Sequence, residues 1–176
     1  MATLAELLAS SLAALKQVQQ SGDFTIVKSG ELSPTHLKRL LANHFLMPVI
    51  KGWYIVTDPR AVPGDSTAWY ASFWNFILRY ATERYGKEWC LSAEQSLAIY
   101  SGSTTVPKQV LIRSPKGNNN SLELLPPTSL FNLEAALPSR IDTDNPYRLN
   151  LYPLAEAIIA ATPAIYWRSC ATVPRF

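Results

Sequence analysis

The stretch from Ser33 to Val56 most constrains the fold, because it predicts one short helix followed at once by a tight hairpin. Ser33 and Pro34 are typical of a helix start, since a serine side chain accepts a first-turn amide and proline lacks an N–H that would be unsatisfied there. Lys51-Gly52 predicts the hairpin turn, because glycine tolerates a positive φ angle. A helix followed by a two-stranded wing is the outline of a winged helix-turn-helix.

The predicted helix, residues 33–45, has two faces. Leu37, Leu40 and Leu41 recur at three- and four-residue spacing on the apolar face, and either His44 or Phe45 completes it. The opposite face is polar and can donate hydrogen bonds to phosphates and base edges. Its members are Thr35, His36, Lys38, Arg39 and Asn43. The same composition is also typical of the solvated face of an ordinary amphipathic helix.

The hairpin that follows the helix favours DNA binding over that alternative, and a modest local excess of positive charge agrees with it. Residues 28–60 hold five basic and two acidic side chains, so their excess of three positive charges equals the net charge of the whole chain. Concentrated positive charge attracts DNA phosphates, and three phosphate contacts predict a slope of about −3 in log affinity against log salt. We expect base contacts from Thr35, His36, Arg39 and Asn43. We expect phosphate contacts from Lys28, Lys38 and Lys51.

The turn-rich segment 57–66 predicts a domain boundary after the hairpin. The resulting domains are a winged-helix domain of residues 1–60 and a second domain of residues 61–176. In the first domain, Thr3 and Glu6 form a capping-box pattern that opens a helix over residues 3–19. The short apolar segment 24–27 is either a strand or the start of a second helix. In a winged helix, residues 26–32 would form the short supporting helix that precedes the recognition helix.

The second domain is predicted to be a small mixed α/β domain, which makes the whole chain α+β. Its first helix, residues 67–84, carries aromatic side chains on more than one face and is therefore predicted to be a core element. A capping pattern at Ser92 and Gln95 predicts a second helix. The remaining expected elements are a strand at Val106–Arg113, its hairpin partner at Leu122–Leu125, a strand at Tyr147–Leu151 and a last helix at Leu154–Ala161.

The residues predict no catalytic, metal or cofactor site. Cys90 and Cys170 form no close motif and lack neighbouring histidines, so free thiols are expected. No P-loop, dinucleotide-binding glycine pattern or nucleophile elbow is present. Arg113 and Lys116 flank a polar turn that is either a solvated hairpin tip or a secondary contact for phosphate or DNA. With no membrane-length apolar run and no basic leader, a cytoplasmic location is expected.

Several segments resemble known bacterial families. Three segments occur in an order similar to that in AbiEi-type antitoxins, which join an N-terminal winged helix to an α/β domain. These segments are Val49–Tyr54, Leu91–Tyr100 followed by Thr105–Val110, and Tyr147–Ile159. The chain more closely resembles the N-terminal region of some Fic-family (cell filamentation) proteins, through Gly52–Tyr54, Ser66–Trp74 and Arg113–Gly117.

The resemblance implies a DNA-binding, antitoxin-like transcription regulator of a toxin–antitoxin system that acts on double-stranded DNA, and a homodimer is among the expected assemblies. The alternative is a protein-interaction module that binds or restrains a toxin or Fic domain. Fic enzymes use a His-Pro-Phe loop, whereas this chain has only His36 and His44, and neither precedes Pro-Phe. The adenylyltransferase module is therefore missing from this sequence, and a longer parent protein is the expected place for one.

Overall fold

The computed structural model describes residues 3–21, 25–62 and 64–161. Within these residues the fold is mixed α+β, with five α-helices and two β-sheets, which confirms the predicted class at this level. The chain divides into two compact units, Met1–Ile77 and Leu78–Phe176. The division falls inside a long helix, whereas the sequence places the domain boundary between residues 60 and 61.

The first unit begins with two helices and a three-stranded antiparallel sheet. The elements are α1 (Leu4–Ser21), β1 (Ile26–Lys28), α2 (Pro34–Ala42), β2 (Leu46–Ile50) and β3 (Trp53–Val56). Strand β3 lies in the middle of this sheet, whose order is β1-β3-β2. Consecutive strands β2 and β3 form the predicted hairpin, and Gly52 in the hairpin turn has a φ of 82°.

Of the two alternatives for this segment, the strand is confirmed at Ile26 and Val27, and the supporting helix over residues 26–32 is wrong. The first residues form strand β1, and only a single 3-10 turn, Ser29–Glu31, precedes α2. Ile26 and Val27 are fully buried and lie opposite Ile55 and Tyr54 of β3. Two consecutive β-branched residues gain more from this sheet pairing than from a short helix, because their side chains are restricted in helices and pack well on a pleated surface.

The predicted helix starts are confirmed by their hydrogen bonds. Thr3 and Glu6 make the reciprocal capping box, with the Thr3 amide donating to Glu6 Oε2 at 2.8 Å and the Glu6 amide to Thr3 Oγ1 at 3.2 Å. At α2, the amide of His36 donates to Ser33 Oγ at 3.3 Å, and Pro34 occupies the first helical position. These bonds satisfy amides that have no partner within the helix.

The core of the first unit contains side chains from both helices and the sheet. Leu15 of α1, Leu40 of α2 and Leu46 of β2 are buried in one cluster. Helix α3, Thr67–Tyr85, begins in this unit, and its Phe76 makes an edge contact with Trp53, with ring centroids 5.7 Å apart. Since all the other aromatic side chains of α3 except Tyr70 are also buried, the prediction that this helix is a core element is confirmed.

The second unit contains the end of α3, a four-stranded sheet and two further helices. The elements are β4 (Cys90–Leu91), α4 (Ala93–Tyr100), β5 (Gln109–Ser114), β6 (Asn120–Glu123), β7 (Ser129–Glu134) and α5 (Leu154–Ala160). The strand order is β4-β5-β7-β6, and β5 and β7 run parallel. Ser92 caps helix α4 as predicted, because its Oγ accepts from the amide of Gln95 at 3.3 Å.

The predicted pairing of β5 with β6 is wrong. Both strands pair instead with β7, which the sequence reading did not anticipate, as it also missed β4. The turn after β5 passes directly over β7, where a Cβ on Gly117 would overlap the backbone of Leu133 and Glu134. Because only glycine permits this approach, the chain crosses β7 before β6 begins.

The strand expected over Tyr147–Leu151 is also wrong. Only an isolated bridge between Asp142 and Leu151 forms there, and Arg148 has a φ of 53°. The side chain of Asn145 organises this segment as a turn, because its Oδ1 accepts from the amide of Leu149 at 3.0 Å and its Nδ2 donates to the Leu149 carbonyl at 2.7 Å. Such a local side-chain bond competes with strand pairing.

Candidate nucleic-acid interface

Helix α2 is held in the first unit by its apolar face. Leu40 is fully buried, and the partly buried Leu37, Leu41 and Phe45 pack against the same core. His44 instead is exposed with a φ of 58°, so Phe45 completes the apolar face and His44 does not. This packing determines which side chains of α2 remain on the surface.

The surface of α2 presents only part of the predicted DNA-contact set. Thr35, Lys38 and Asn43 are exposed. A shallow groove of about 540 Å³ follows this surface and is lined by Pro34, Thr35, Lys38, Arg39 and Ala42. The Asn43 amide group is used in part to end the helix, because its Nδ2 donates to the Arg39 carbonyl at 2.8 Å.

The two other lysines of the predicted set lie on the sheet. Lys51 is exposed in the turn between β2 and β3, as the sequence predicts. Lys28, at the end of β1, is half-buried, and its Nζ lies 5.3 Å from the ring centroid of Trp53. A cation over an indole face is attracted by the ring, so Lys28 is a less available phosphate ligand than Lys51.

His36 and Arg39 do not lie on an open outer face, contrary to the sequence reading. Both are half-buried and contact helix α1. Arg39 Nη1 donates to the Leu7 carbonyl at 2.9 Å and to Ser11 Oγ at 2.8 Å, and His36 Nδ1 lies 3.0 Å from Ser11 Oγ. The sequence reading divided α2 into one apolar and one exposed polar face. This was wrong for His36 and Arg39, because α2 also packs against α1 along a third, polar side.

Sequence reasoning missed Ser11 as a member of this site. Ser11 is completely buried on α1, where its hydroxyl also donates to the Leu7 carbonyl at 3.0 Å. The indication was already in the periodicity, because Ser11 falls within the stripe formed by Leu7, Leu8 and Leu15. A hydroxyl at a predicted core position requires a partner, and Arg39 and His36 are those partners.

The secondary candidates, Arg113 and Lys116, make contacts within the second unit. Arg113 is half-buried, donates through Nη2 to the Ala136 carbonyl at 3.3 Å and lies 5.6 Å from the Tyr152 ring centroid. Lys116 forms an ion pair with Glu88, although its side chain remains 64% exposed. Arg113 thus has a local packing role, while Lys116 remains accessible for an anionic ligand.

Outside the predicted contact set, the thiol of Cys90 is buried. Burial raises the pKa of the Cys90 thiol to about 12, and a thiol that stays protonated at neutral pH is a poor nucleophile. Within the described ranges, no group of three or more His, Cys, Asp or Glu side chains has a metal-binding arrangement. Cys170, the other predicted free thiol, lies outside the described residues.

No protein-family model, curated protein or solved structure matches this chain. The resemblance to AbiEi-type antitoxins and to Fic-family N-terminal regions therefore stays a prediction. In the described part of the chain, no helix is both long and apolar enough to cross a membrane.

Proposed function

We propose that this chain is a non-catalytic, antitoxin-like regulator that binds double-stranded DNA through its first unit. The observation that carries the proposal is the order of elements, in which helix α2 is followed directly by the β2–β3 hairpin while β1 pairs with β3. A winged helix-turn-helix uses this order to direct its second helix into the major groove and its hairpin onto the adjacent backbone. The 3-10 turn Ser29–Glu31 takes the place of the usual short supporting helix.

The exposed charges indicate a weak, phosphate-directed interaction for each protomer. Lys38 on α2 and Lys51 in the hairpin turn are exposed, whereas Arg60 is paired with Asp58 at 3.1 Å. Two phosphate contacts predict a slope of about −2 in log affinity against log salt, smaller than the expectation from sequence alone. Dimeric binding is part of the proposal, and a homodimer bound to two half-sites would double this slope.

Fluorescence anisotropy with DNA duplexes tests this function. The duplexes are the region upstream of the chain's own gene and a scrambled sequence of equal length, titrated between about 50 and about 200 mM salt. Lys38→Ala and Lys51→Ala should each lower the magnitude of the salt slope by about 0.9 per protomer. Lys108→Ala removes the same charge from an exposed position in the second unit and serves as the matched control.

Two results would contradict the proposal. One is no binding of either duplex at the lowest salt. The other is undiminished affinity when Lys38→Ala and Lys51→Ala are combined. Stronger binding of the upstream duplex than of the scrambled duplex would further identify the chain as a regulator of its own gene.

A groove in the first unit favours protein interaction as the second candidate function. It has a volume of about 680 Å³ and is lined mainly by apolar side chains, including Leu41, Met47 and Val62. Val62 is 74% exposed, whereas Trp69 and Trp74 are buried, so the groove is a better contact surface than the aromatic face of α3. Met47→Asp should abolish binding of the neighbouring gene product, a toxin or Fic domain, in a pull-down if this candidate is right.

A further inference from the structure

We infer that Ser11 and Arg39 are positioning residues that set the orientation of helix α2 for DNA binding. This inference rests on the proposed function and deepens it, because it assigns Arg39 a role other than base recognition. Arg39 was predicted to contact bases, yet its Nη1 is directed at α1. The contact joins the exposed DNA-facing helix to the buried surface of its neighbour.

The geometry of the contact is specific. Arg39 Nη1 donates to two oxygens of α1, the Leu7 carbonyl at 2.9 Å and Ser11 Oγ at 2.8 Å. Since one Nη group has two hydrogens, these two bonds use both of them. The end-on pair of N–H donors with which arginine often recognises guanine is therefore not available from this side chain.

Ser11 is suited to hold more than one partner. Its oxygen accepts from Arg39, and the same atom lies 3.0 Å from His36 Nδ1 and 3.0 Å from the Leu7 carbonyl. A hydroxyl has one donor and two acceptor positions, so all three contacts are compatible with its chemistry. The hydroxyl is completely buried, and an unpaired polar group there is costly.

Directional bonds limit how α2 can turn against α1. Both helices also contribute leucines and other apolar side chains to the core cluster of the first unit, and apolar packing tolerates small rotations more readily than hydrogen bonds do. Lys38 precedes Arg39 in α2, so a rotation that releases Arg39 also displaces Lys38. Lys38 and Lys51 would then no longer reach neighbouring phosphates together.

The test is Ser11→Ala, which removes no charge and lies away from the proposed DNA surface. We expect its affinity for duplex DNA to fall about fivefold to tenfold at fixed salt. Arg39→Lys keeps the charge but lacks the planar fork, and it should show a similar loss. Ser96→Ala is the matched control, because Ser96 is also fully buried and its hydroxyl makes two bonds, but in the second unit.

A double-mutant cycle separates positioning from general destabilisation. If Ser11 acts through helix orientation, Lys38→Ala should weaken binding much less in the Ser11→Ala background than in the wild-type chain. Loss of folded protein alone would leave the Lys38→Ala effect per folded molecule unchanged, and circular dichroism measures the folded fraction. Arg39→Lys provides the same cycle if Ser11→Ala does not fold.

The outcomes distinguish this inference from the function on which it rests. A wild-type chain that binds no duplex overturns both. A wild-type chain that binds DNA, with Ser11→Ala and Arg39→Lys equal to it in affinity, overturns only the positioning role. The positioning role is also overturned if Lys38→Ala weakens DNA binding as much in the Ser11→Ala and Arg39→Lys backgrounds as in the wild-type chain.

Discussion

The phenol of Tyr100 connects helix α4 to the segment around residues 142–152. Its oxygen lies 2.6 Å from Asp142 Oδ2 and 2.8 Å from the carbonyl oxygen of Tyr152. Asp142 also pairs through its backbone with Leu151. Because this segment has no regular strand, we expect Tyr100→Phe to lower the free energy of unfolding of the second unit.

The magnitude follows from the chemistry of the contact. A hydrogen bond to a charged group contributes about 1.5 to 3 kcal/mol. Asp142 is only half-buried, so water compensates for part of the loss, and we expect Tyr100→Phe to cost about 1 to 2 kcal/mol. For a unit of about 100 residues, each 1 kcal/mol corresponds to a decrease in melting temperature of about 4 to 8 °C.

The stability that the Tyr100–Asp142 contact contributes should decrease at both low and high pH. The hydrogen bond from Tyr100 lowers the pKa of Asp142, and burial together with Asp142 raises the pKa of Tyr100. A lowered carboxyl pKa adds stability that is present above about pH 4 and is lost as the pH falls. A raised phenol pKa adds stability that is present below about pH 10 and is lost as the pH rises.

Urea denaturation followed by circular dichroism at about pH 7 and about pH 3 measures this difference. Tyr70→Phe is the control, because Tyr70 is 40% exposed in the first unit. We expect a clear loss for Tyr100→Phe at neutral pH that shrinks in acid. The reasoning is refuted if the loss is the same at both pH values, or if it stays below about 0.3 kcal/mol at neutral pH.

Two further predictions concern the second unit. Gly117→Ala should destabilise the protein by about 1 to 3 kcal/mol, because the added Cβ would overlap the backbone of β7. Gly30→Ala is the control and should have little effect, because nothing lies within 4 Å of its added carbon. Thermal unfolding of both variants measures the difference. Cys90 should resist alkylation by iodoacetamide at about pH 8 in the native protein and react after unfolding, because burial raises its pKa to about 12. Mass spectrometry of the tryptic peptide that contains Cys90 measures the labelling. Rapid labelling of the native thiol would contradict this prediction.

The sequence correctly predicted the elements that are stabilised by contacts between residues close together in the chain. The capping residues Ser33 and Ser92 correctly marked two helix starts, and Lys51-Gly52 marked the hairpin turn. These predictions succeeded because a cap or turn is stabilised by bonds across three or four residues. The aromatic composition of α3 likewise predicted burial without indicating what it packs against.

Predictions that depended on distant residues were less successful. The parallel pairing of β5 with β7 joins residues about 20 positions apart, as between Gln109 and Ser129, and no local pattern specifies it. The expected strand at Tyr147–Leu151 has suitable residues, but the Asn145 side chain holds it in a turn. Strand propensity describes a favourable surface and does not identify a partner.

For the candidate interface, the sequence by itself determined that a short helix with Thr35 and Lys38 precedes a hairpin with Lys51 at its turn. Only the tertiary structure decided that Arg39 and His36 point to Ser11 instead of to an open surface. The physical reason is that helical periodicity divides a helix into polar and apolar faces. Whether a polar side chain meets water or a neighbouring helix depends on packing between residues far apart in the chain.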